Sequence, residues 1–246
     1  MPNLSAAATL DLWETGDGLA PVERSLALAA AAEPPSNMDE LARLPLGRRD
    51  ARLLSLRKAL SGSVLEATAP CPACGEQAEF AADAHALLRQ ADGAVLPGPV
   101  ETGGFLVEWR SPDSRDVAAA AAARDAAAAE RMLLSRCVTV ARGPDGEVEA
   151  TALPAPVRAA LSRTMAEADP LAEVLVNVTC PACGTAFIAD LDVGEYVWTE
   201  VRARAQRLLR EVDALAHVYG WTESEVLALG ERRRAAYLAL TQEGGQ

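Results

Sequence analysis

Histidine, lysine and aromatic residues are scarce in this chain of 246 residues. The histidines are His85 and His217, the single lysine is Lys58, and aromatic side chains make up 4% of the chain. A histidine-based catalytic site therefore has little material, and we expect both histidines to lie on helix surfaces. Because 50% of the residues are hydrophobic and much of that fraction is alanine, we expect a helix-dominated core with few large side chains.

Several classes of function lack their sequence signals. No glycine-rich phosphate loop and no serine, histidine and aspartate set is evident, so we predict that the protein is not an enzyme. The formal net charge of −12 argues against a general nucleic-acid binder, because contact with phosphates needs a basic surface.

The sequence also lacks membrane signals. The longest apolar runs, such as residues 26–32, fall far short of the roughly 18 residues of a membrane span. No signal peptide is visible at the N-terminus. We therefore expect a soluble cytoplasmic protein without membrane insertion, which can still be incorporated into an assembled particle.

Four of the five cysteines lie in one motif, CPACG, which occurs at residues 71–75 and again 109 residues later at 180–184. The proline fixes φ, and the glycine permits the positive φ of a tight turn. Such a turn directs two thiolates at one ion, and two turns complete a tetrahedral four-sulfur site. The sequence thus predicts one structural zinc ion as cofactor, bound by Cys71, Cys74, Cys180 and Cys183.

The residues around both motifs are rich in apolar and β-branched types, at 64–69, 77–81, 173–179 and 185–191. This pattern predicts two hairpins with the cysteines at their tips, which is the zinc-ribbon arrangement. A redox pair, as in glutaredoxin-like oxidoreductases, and unpaired buried thiols remain as alternatives. A catalytic zinc is disfavoured because four sulfur ligands leave no open position.

We predict an α+β, mostly helical fold with a small zinc-ribbon β-element. It divides into an N-terminal helical region (1–62), a first hairpin (63–93), a mostly helical insertion (94–170), a second hairpin (171–193) and C-terminal helices (194–246). In the insertion we expect a strand at 105–110 and alanine-rich helices that are interrupted near Asp125. Cys137 has no neighbouring cysteine and is expected to be a small buried residue.

Two helical regions are candidates for contact with a partner. A helix that begins near Gly47 has leucines on one side and arginines on the other, and an apolar stripe over residues 197–219 predicts a long helix that Gly220 ends. The candidate contact residues are Arg48, Arg49, Arg52, Trp221, Arg232, Arg233, Arg234 and Tyr237. The alternatives are a solvated helix face for the first region and DNA binding by a helix-turn-helix-like ending for the second.

Several motifs together resemble a family of zinc-knuckle proteins from contractile-tail phages and related injection-system loci. They are residues 12–14 (LWE) with Gly18, 21–24 (PVER), 45–50 (PLGRRD), the doubled cysteine motif, 219–223 (YGWTE), 232–234 (RRR) and 237–238 (YL). Members of that family are described as baseplate or baseplate-hub assembly factors of T-even-like tails. The resemblance implies a non-enzymatic structural or assembly role with baseplate or hub proteins as partners, and a metal role for the four cysteines. A zinc-ribbon nucleic-acid or transcription-associated module is the alternative, and a thiol oxidoreductase is less favoured.

Overall fold

A computed structural model describes residues 4–35, 37–92 and 98–243 of the chain. Helices dominate, and the strands form small antiparallel sheets, which confirms the predicted α+β, mostly helical class. The helices are α1 (Ala6–Gly16), α2 (Pro21–Ala32), α3 (Met38–Ala42), α4 (Leu46–Ser61), α5 (Ala84–Asp92), α6 (Ser114–Ala121), α7 (Ala126–Cys137), α8 (Ala155–Ala168), α9 (Val193–Tyr219), α10 (Glu223–Ala228) and α11 (Glu231–Glu243). The strands are β1 (Val64–Pro70), β2 (Gln77–Asp83), β3 (Val100–Thr102), β4 (Phe105–Trp109), β5 (Val138–Gly143), β6 (Gly146–Glu147), β7 (Leu175–Thr179) and β8 (Ala186–Asp190).

Capping side chains begin several of these helices. The hydroxyl of Ser5 accepts the N–H of Ala8 at 3.1 Å and begins α1. The carboxylates of Asp113 and Asp125 do the same for α6 and α7, so the alanine-rich region is interrupted where the sequence predicted. Gly220, with a φ of 66°, ends α9 in the left-handed conformation that glycine adopts without a steric penalty.

The two predicted hairpins are present. Strands β1 and β2 pair from Val64 opposite Asp83 to Pro70 opposite Gln77. Strands β7 and β8 pair from Leu175 opposite Asp190 onward, also antiparallel. In each hairpin the cysteine motif lies in the turn at the tip, where the sequence predicted it.

We call α1–α5, the two hairpins and α9–α11 the body. Its main core lies between α2, α4 and α9, where Leu28, Leu53 and Leu54 have no exposed surface and Trp198 is 2% exposed. The base of each hairpin joins this core through Leu65, Val174 and Leu191. The hairpins are therefore continuous with the helical core and bring segments from both ends of the chain together.

We call residues 98–170 the insertion. It has a four-stranded sheet in the order β3-β4-β5-β6, packed with α8 around a separate core. The buried members of that core are Val100, Val107, Trp109, Ala141, Leu153, Val157 and Leu161. The strand predicted at 105–110 is confirmed as β4, while β3, β5 and β6 were not predicted. Strands β3 and β6 have only three and two residues, and β5 is defined by its pairing with β4. The predicted boundary between residues 93 and 94 lies outside the described residues.

Three hydrogen bonds fasten the insertion to the start of α4. The N–H of Leu46 donates to the carbonyl of Pro112 at 3.1 Å, and the N–H of Gly47 donates to Asp169 Oδ2 at 3.1 Å. Arg49 Nη1 donates to Ser114 Oγ at 3.3 Å. The first turn of α4 is thus the junction between the body and the insertion.

Candidate metal centre

Each cysteine motif folds into the same tight turn. In the first, the N–H of Cys71 donates to the carbonyl of Glu76 at 2.9 Å, and the N–H of Gly75 donates back to the carbonyl of Cys71 at 2.9 Å. Gly75 has a φ of 78°, a conformation that side chains with a Cβ rarely adopt. The glycine is therefore required by the turn that places the two thiols on one side.

The second turn repeats this geometry. The N–H of Cys180 donates to the carbonyl of Thr185 at 2.9 Å, the N–H of Gly184 donates to the carbonyl of Cys180 at 3.0 Å, and Gly184 has a φ of 74°. Identical sequence has produced identical backbone geometry at two places in the chain. The two turns therefore present matched pairs of thiols.

The four thiols converge on one point. The Sγ atoms of Cys71 and Cys183 lie 3.7 Å apart, those of Cys74 and Cys180 lie 3.6 Å apart, and all four lie within 4.8 Å of one another. A tetrahedral ion with sulfur ligands at about 2.3 Å needs sulfur atoms about 3.8 Å apart. The arrangement therefore fits a four-coordinate metal ion, and each short distance joins one cysteine from each hairpin.

The centre is buried on one side and open on the other. Cys71 and Cys180 are 2% and 1% exposed, whereas Cys74 and Cys183 face solvent. Beneath the turns the hairpins pack on each other through a small apolar cluster formed by Ala78, Val178, Ala189, Ala69, Phe80, Val176 and Phe187. This packing sets the distance between the two turns. The contact between the hairpins therefore places the four thiols close enough to bind one ion.

In the absence of a metal ion, the hydrogen bonds around the four thiols shift the pKa values of individual cysteines in opposite directions. Hydrogen bonds with the side chain and backbone of Thr185 lower the pKa of Cys183 to about 6. A backbone hydrogen bond from Glu76 lowers the pKa of Cys74, but hydrogen bonds with Cys183 and Cys180 outweigh it and raise the pKa to about 12. Four thiolates this close repel one another, so a cation is needed to hold all four ionised.

The local structure differs from that of a redox pair. A reactive Cys-x-x-Cys motif places its first cysteine at a helix N-terminus, which stabilises the thiolate. Here a strand follows each motif, beginning at Gln77 and Ala186. Both short sulfur contacts also run between the hairpins and not within one motif.

Cys137 and the two histidines lie away from this centre. His85 and His217 are exposed on α5 and α9, as predicted. Cys137 is buried, also as predicted, but its Sγ donates to Asp116 Oδ2 at 3.7 Å. Burial and then the charge of Asp116 raise the pKa of Cys137 to about 12, which disfavours a nucleophilic thiolate.

Sequence reasoning missed the polar network around Asp116, which has no exposed surface. Its carboxylate accepts hydrogen bonds from Arg110 at 2.6 and 3.0 Å, from Arg136 at 2.7 Å and from the N–H of Asp113 at 2.9 Å. Burial by itself raises the pKa of Asp116, but these bonds outweigh it and hold the pKa well below its usual range. The spacing of Asp113 and Asp116, typical of a capping box, was the available signal.

The arginine candidates on α4 occupy different environments. Arg48 is exposed, and Arg52 is half-buried with its Nε 3.2 Å from Glu33 Oε2. Arg49 is a correction to the predicted contact surface, because its side chain is buried and pairs with Asp50 at 2.7 Å. The guanidinium of Arg49 therefore contacts the insertion at the junction, through Ser114, and is not presented to a partner.

Two of the C-terminal candidates, Trp221 and Tyr237, pack with Tyr219, and we call these three residues the aromatic corner. Trp221 stacks on Tyr219 with ring centroids 4.7 Å apart, and Tyr237 meets Trp221 edge-on at 4.8 Å. Arg232 and Arg233 are exposed beside it on α11.

Arg234 is the second correction to the predicted contact surface. It is 4% exposed, and its Nε donates to Glu211 Oε2 at 2.8 Å. A side chain that is enclosed and paired in this way ties α11 to α9 and is not presented to a partner.

None of the helices in the described part of the chain carries an apolar stretch long enough to cross a bilayer. Among the described residues, the four cysteines are the one group of three or more histidine, cysteine or acidic side chains with the spacing of a metal site. Fold and site together define a mostly helical protein with a zinc-ribbon-like four-cysteine centre. Comparisons with family models, curated proteins and solved structures gave no match, so the resemblance described above rests on its motifs.

Proposed function

We propose that the protein is a non-enzymatic structural or assembly component of a contractile tail or injection-system baseplate, stabilised by one zinc ion. The observation that carries the proposal is the convergence of four thiols from hairpins 109 residues apart in the chain. Such a centre fixes the relative positions of the helices around it. The function then lies in the surfaces of those helices.

The ligand set favours zinc in a structural role. Four thiolates in a tetrahedron suit zinc, with iron as the main competitor. Every coordination position would be filled by Cys71, Cys74, Cys180 or Cys183, which leaves none for water or substrate. A closed site of this kind contributes to folding and does not activate a reactant.

The surfaces available for assembly lie on α4 and at the C-terminus. Arg48 on α4 and Arg232 and Arg233 on α11 are exposed, and the aromatic corner offers large rings beside the α11 arginines. Arginine and aromatic side chains are the types that dominate protein interfaces. The motifs that resemble baseplate assembly factors include these same segments.

Co-purification tests this role. The protein is co-expressed with the sheath, tube, baseplate and hub gene products of its own locus, and we expect a stable complex with a baseplate or hub protein. Reversing the charge of Arg232 and Arg233 to glutamate should abolish that complex. The matched control is Arg124→Glu, because Arg124 is 82% exposed on the insertion. A locus without tail genes, or no complex with any of these products, contradicts the proposal.

A nucleic-acid-binding module is the second candidate, and one observation favours it. Helix α9 carries four arginines, Arg202, Arg204, Arg207 and Arg210. Within the described residues, none of them takes part in an ion pair. Filter binding against DNA and RNA over a range of salt concentrations separates the candidates. Affinity that falls steeply with salt supports the module, and its absence supports protein assembly.

A further inference from the structure

A cavity of about 630 Å³ lies in the groove between α7 and α8. Its walls are mainly apolar and include Leu133, Leu134, Leu161 and Met165. Leu46 of α4 lines it where the insertion meets the body, together with Asp169, Ala172 and Glu173. The volume falls in the range of small-molecule sites, about 300–1,000 Å³. None of the four clustered cysteines, Cys71, Cys74, Cys180 and Cys183, lines the cavity, so it is separate from the candidate metal centre.

The positive charge in this cavity is already neutralised. Arg158 Nε donates to Glu130 Oε1 at 2.9 Å, and Arg158 Nη1 donates to the carbonyl of Leu153 at 2.6 Å. The carboxylates that remain are those of Asp169 and Glu173. The walls of the cavity are therefore apolar, and the lining side chains that carry a charge unpaired among the described residues, Asp169 and Glu173, are acidic and lie where the body meets the insertion.

Asp169 is the more confined of these two carboxylates. It is 8% exposed, and its Oδ2 accepts one hydrogen bond, from the N–H of Gly47. Within the described part of the chain, Oδ1 accepts no hydrogen bond and the carboxylate forms no ion pair.

The surroundings of Asp169 leave its charge incompletely stabilised. Burial raises the pKa of Asp169, although the N–H of Gly47 and the charges of Arg48 and Arg49 oppose that effect. A cation placed at Oδ1 would stabilise the ionised form of Asp169.

We propose that this cavity binds apolar molecules that end in a positively charged amine. The apolar part lies between α7 and α8, and the ammonium group donates to Asp169, with Glu173 adding charge at the rim. This inference is independent of the assembly role and of the metal.

Three ligands of equal chain length test the proposal. Decylammonium, decanol and decanoate are titrated by calorimetry below their micelle concentrations into the full-length protein. We expect decylammonium to bind more tightly than decanol, and decanoate to bind most weakly. Equal affinity for decylammonium and decanoate overturns the proposal.

The carboxylate is tested by Asp169→Asn, because asparagine keeps an oxygen acceptor for Gly47. The variant should bind decylammonium about tenfold or more weakly and bind decanol as before, because only the charge-assisted bond is lost. Glu173→Gln should have a smaller effect in the same direction. Unchanged affinity of folded Asp169→Asn for decylammonium contradicts the assignment of Asp169.

A pair of substitutions on α7 tests the place of binding without touching a charge. Ala129 lines the cavity, whereas Ala127 is exposed on the same helix and is not part of the lining. Ala129→Leu should fill the cavity and abolish decylammonium binding, and Ala127→Leu should leave it intact. The proposal fails if both variants bind alike, and this comparison holds even where Asp169→Asn does not fold.

Discussion

The body and the insertion each bring separate segments together, by different chemistry. In the body, Cys71 and Cys180 come from hairpins 109 residues apart, and two of the four thiols face solvent. In the insertion, Asp116 is fully buried and is bonded to Arg110 and Arg136, which are 6 and 20 residues away. The body is linked by cysteines that are far apart in the chain. The insertion is linked by a local polar network beside its own apolar core.

The difference shows what each kind of link requires. Closing a long loop costs more conformational entropy than closing a short one, and four adjacent thiolates repel one another. We therefore expect the body to depend on a bound cation. The Asp116 network is already balanced by two guanidinium groups and needs no ion. We therefore expect metal loss to weaken the body and charge removal to weaken the insertion.

Loss of one of the four clustered cysteines should have the largest effect on the stability of the protein. Cys180→Ser removes one ligand and the constraint on about a hundred residues, so we expect a loss on the order of 4 kcal/mol in the free energy of unfolding. Denaturant titration followed by circular dichroism measures it. Cys137→Ser is the matched control, because the serine hydroxyl can still donate to Asp116, and it should cost at most about 1–2 kcal/mol. If Cys180→Ser unfolds like the unaltered protein, the long-range link is wrong.

Removal of the buried carboxylate should be the next largest effect. Asp116→Ala should cost about 2–3 kcal/mol, below the value for a fully buried pair because Arg110 and Arg136 are 40% and 38% exposed and regain water. Amide hydrogen exchange should quicken in α6 and β5 while β1 and β8 stay protected. Equal loss of protection in both regions would show that they unfold as one unit.

Acidification should lower the stability of the insertion through protonation of the same carboxylate, Asp116. Because the pKa of Asp116 is lowered in the folded protein, its contribution to stability is present above the pKa of the unfolded chain, about 4, and is lost as pH falls through the pKa of the folded protein. The difference in stability between the unaltered protein and Asp116→Asn should therefore be constant near neutral pH and shrink below about pH 4. Denaturant titrations of both proteins across this range measure it, and a difference that grows on acidification contradicts the account.

A substitution at the junction should have the smallest effect and should reach both regions. A Cβ on Gly47 would clash with the carboxylate of Asp169 and lie 3.1 Å from Leu171 Cβ. Gly47→Ala should therefore cost about 1–2 kcal/mol in thermal or denaturant unfolding, although alanine favours helices. Gly230→Ala is the control, since its Cβ would meet nothing within 4 Å. A gain in stability from Gly47→Ala would show that the junction adapts freely.

The four-cysteine cluster could be predicted from sequence because its signal is local and repeated. Each turn needs cysteines at fixed spacing and a glycine with positive φ, and the sequence shows both at 71–75 and 180–184. The long helix α9 was predictable for a similar reason, since its apolar stripe extends over several turns and Gly220 marks its end. The convergence of the two turns followed from chemistry, because two ligands do not complete a tetrahedral site.

The insertion was less predictable because long-range pairing defines it. Strand β5 becomes a strand by pairing with β4, and β6 has only two residues. The burial of Arg49 and Arg234 also depends on partners from other elements, Ser114 and Glu211. Helix periodicity places such arginines on the polar face but does not show which neighbouring element covers them.

We propose that Cys71, Cys74, Cys180 and Cys183 hold one zinc ion. X-ray absorption at the zinc edge, on protein purified under reducing conditions, tests it most directly. We expect a single shell of four sulfur atoms at about 2.3 Å from the zinc. A protein without bound zinc, or a shell that contains nitrogen or oxygen ligands, would contradict it.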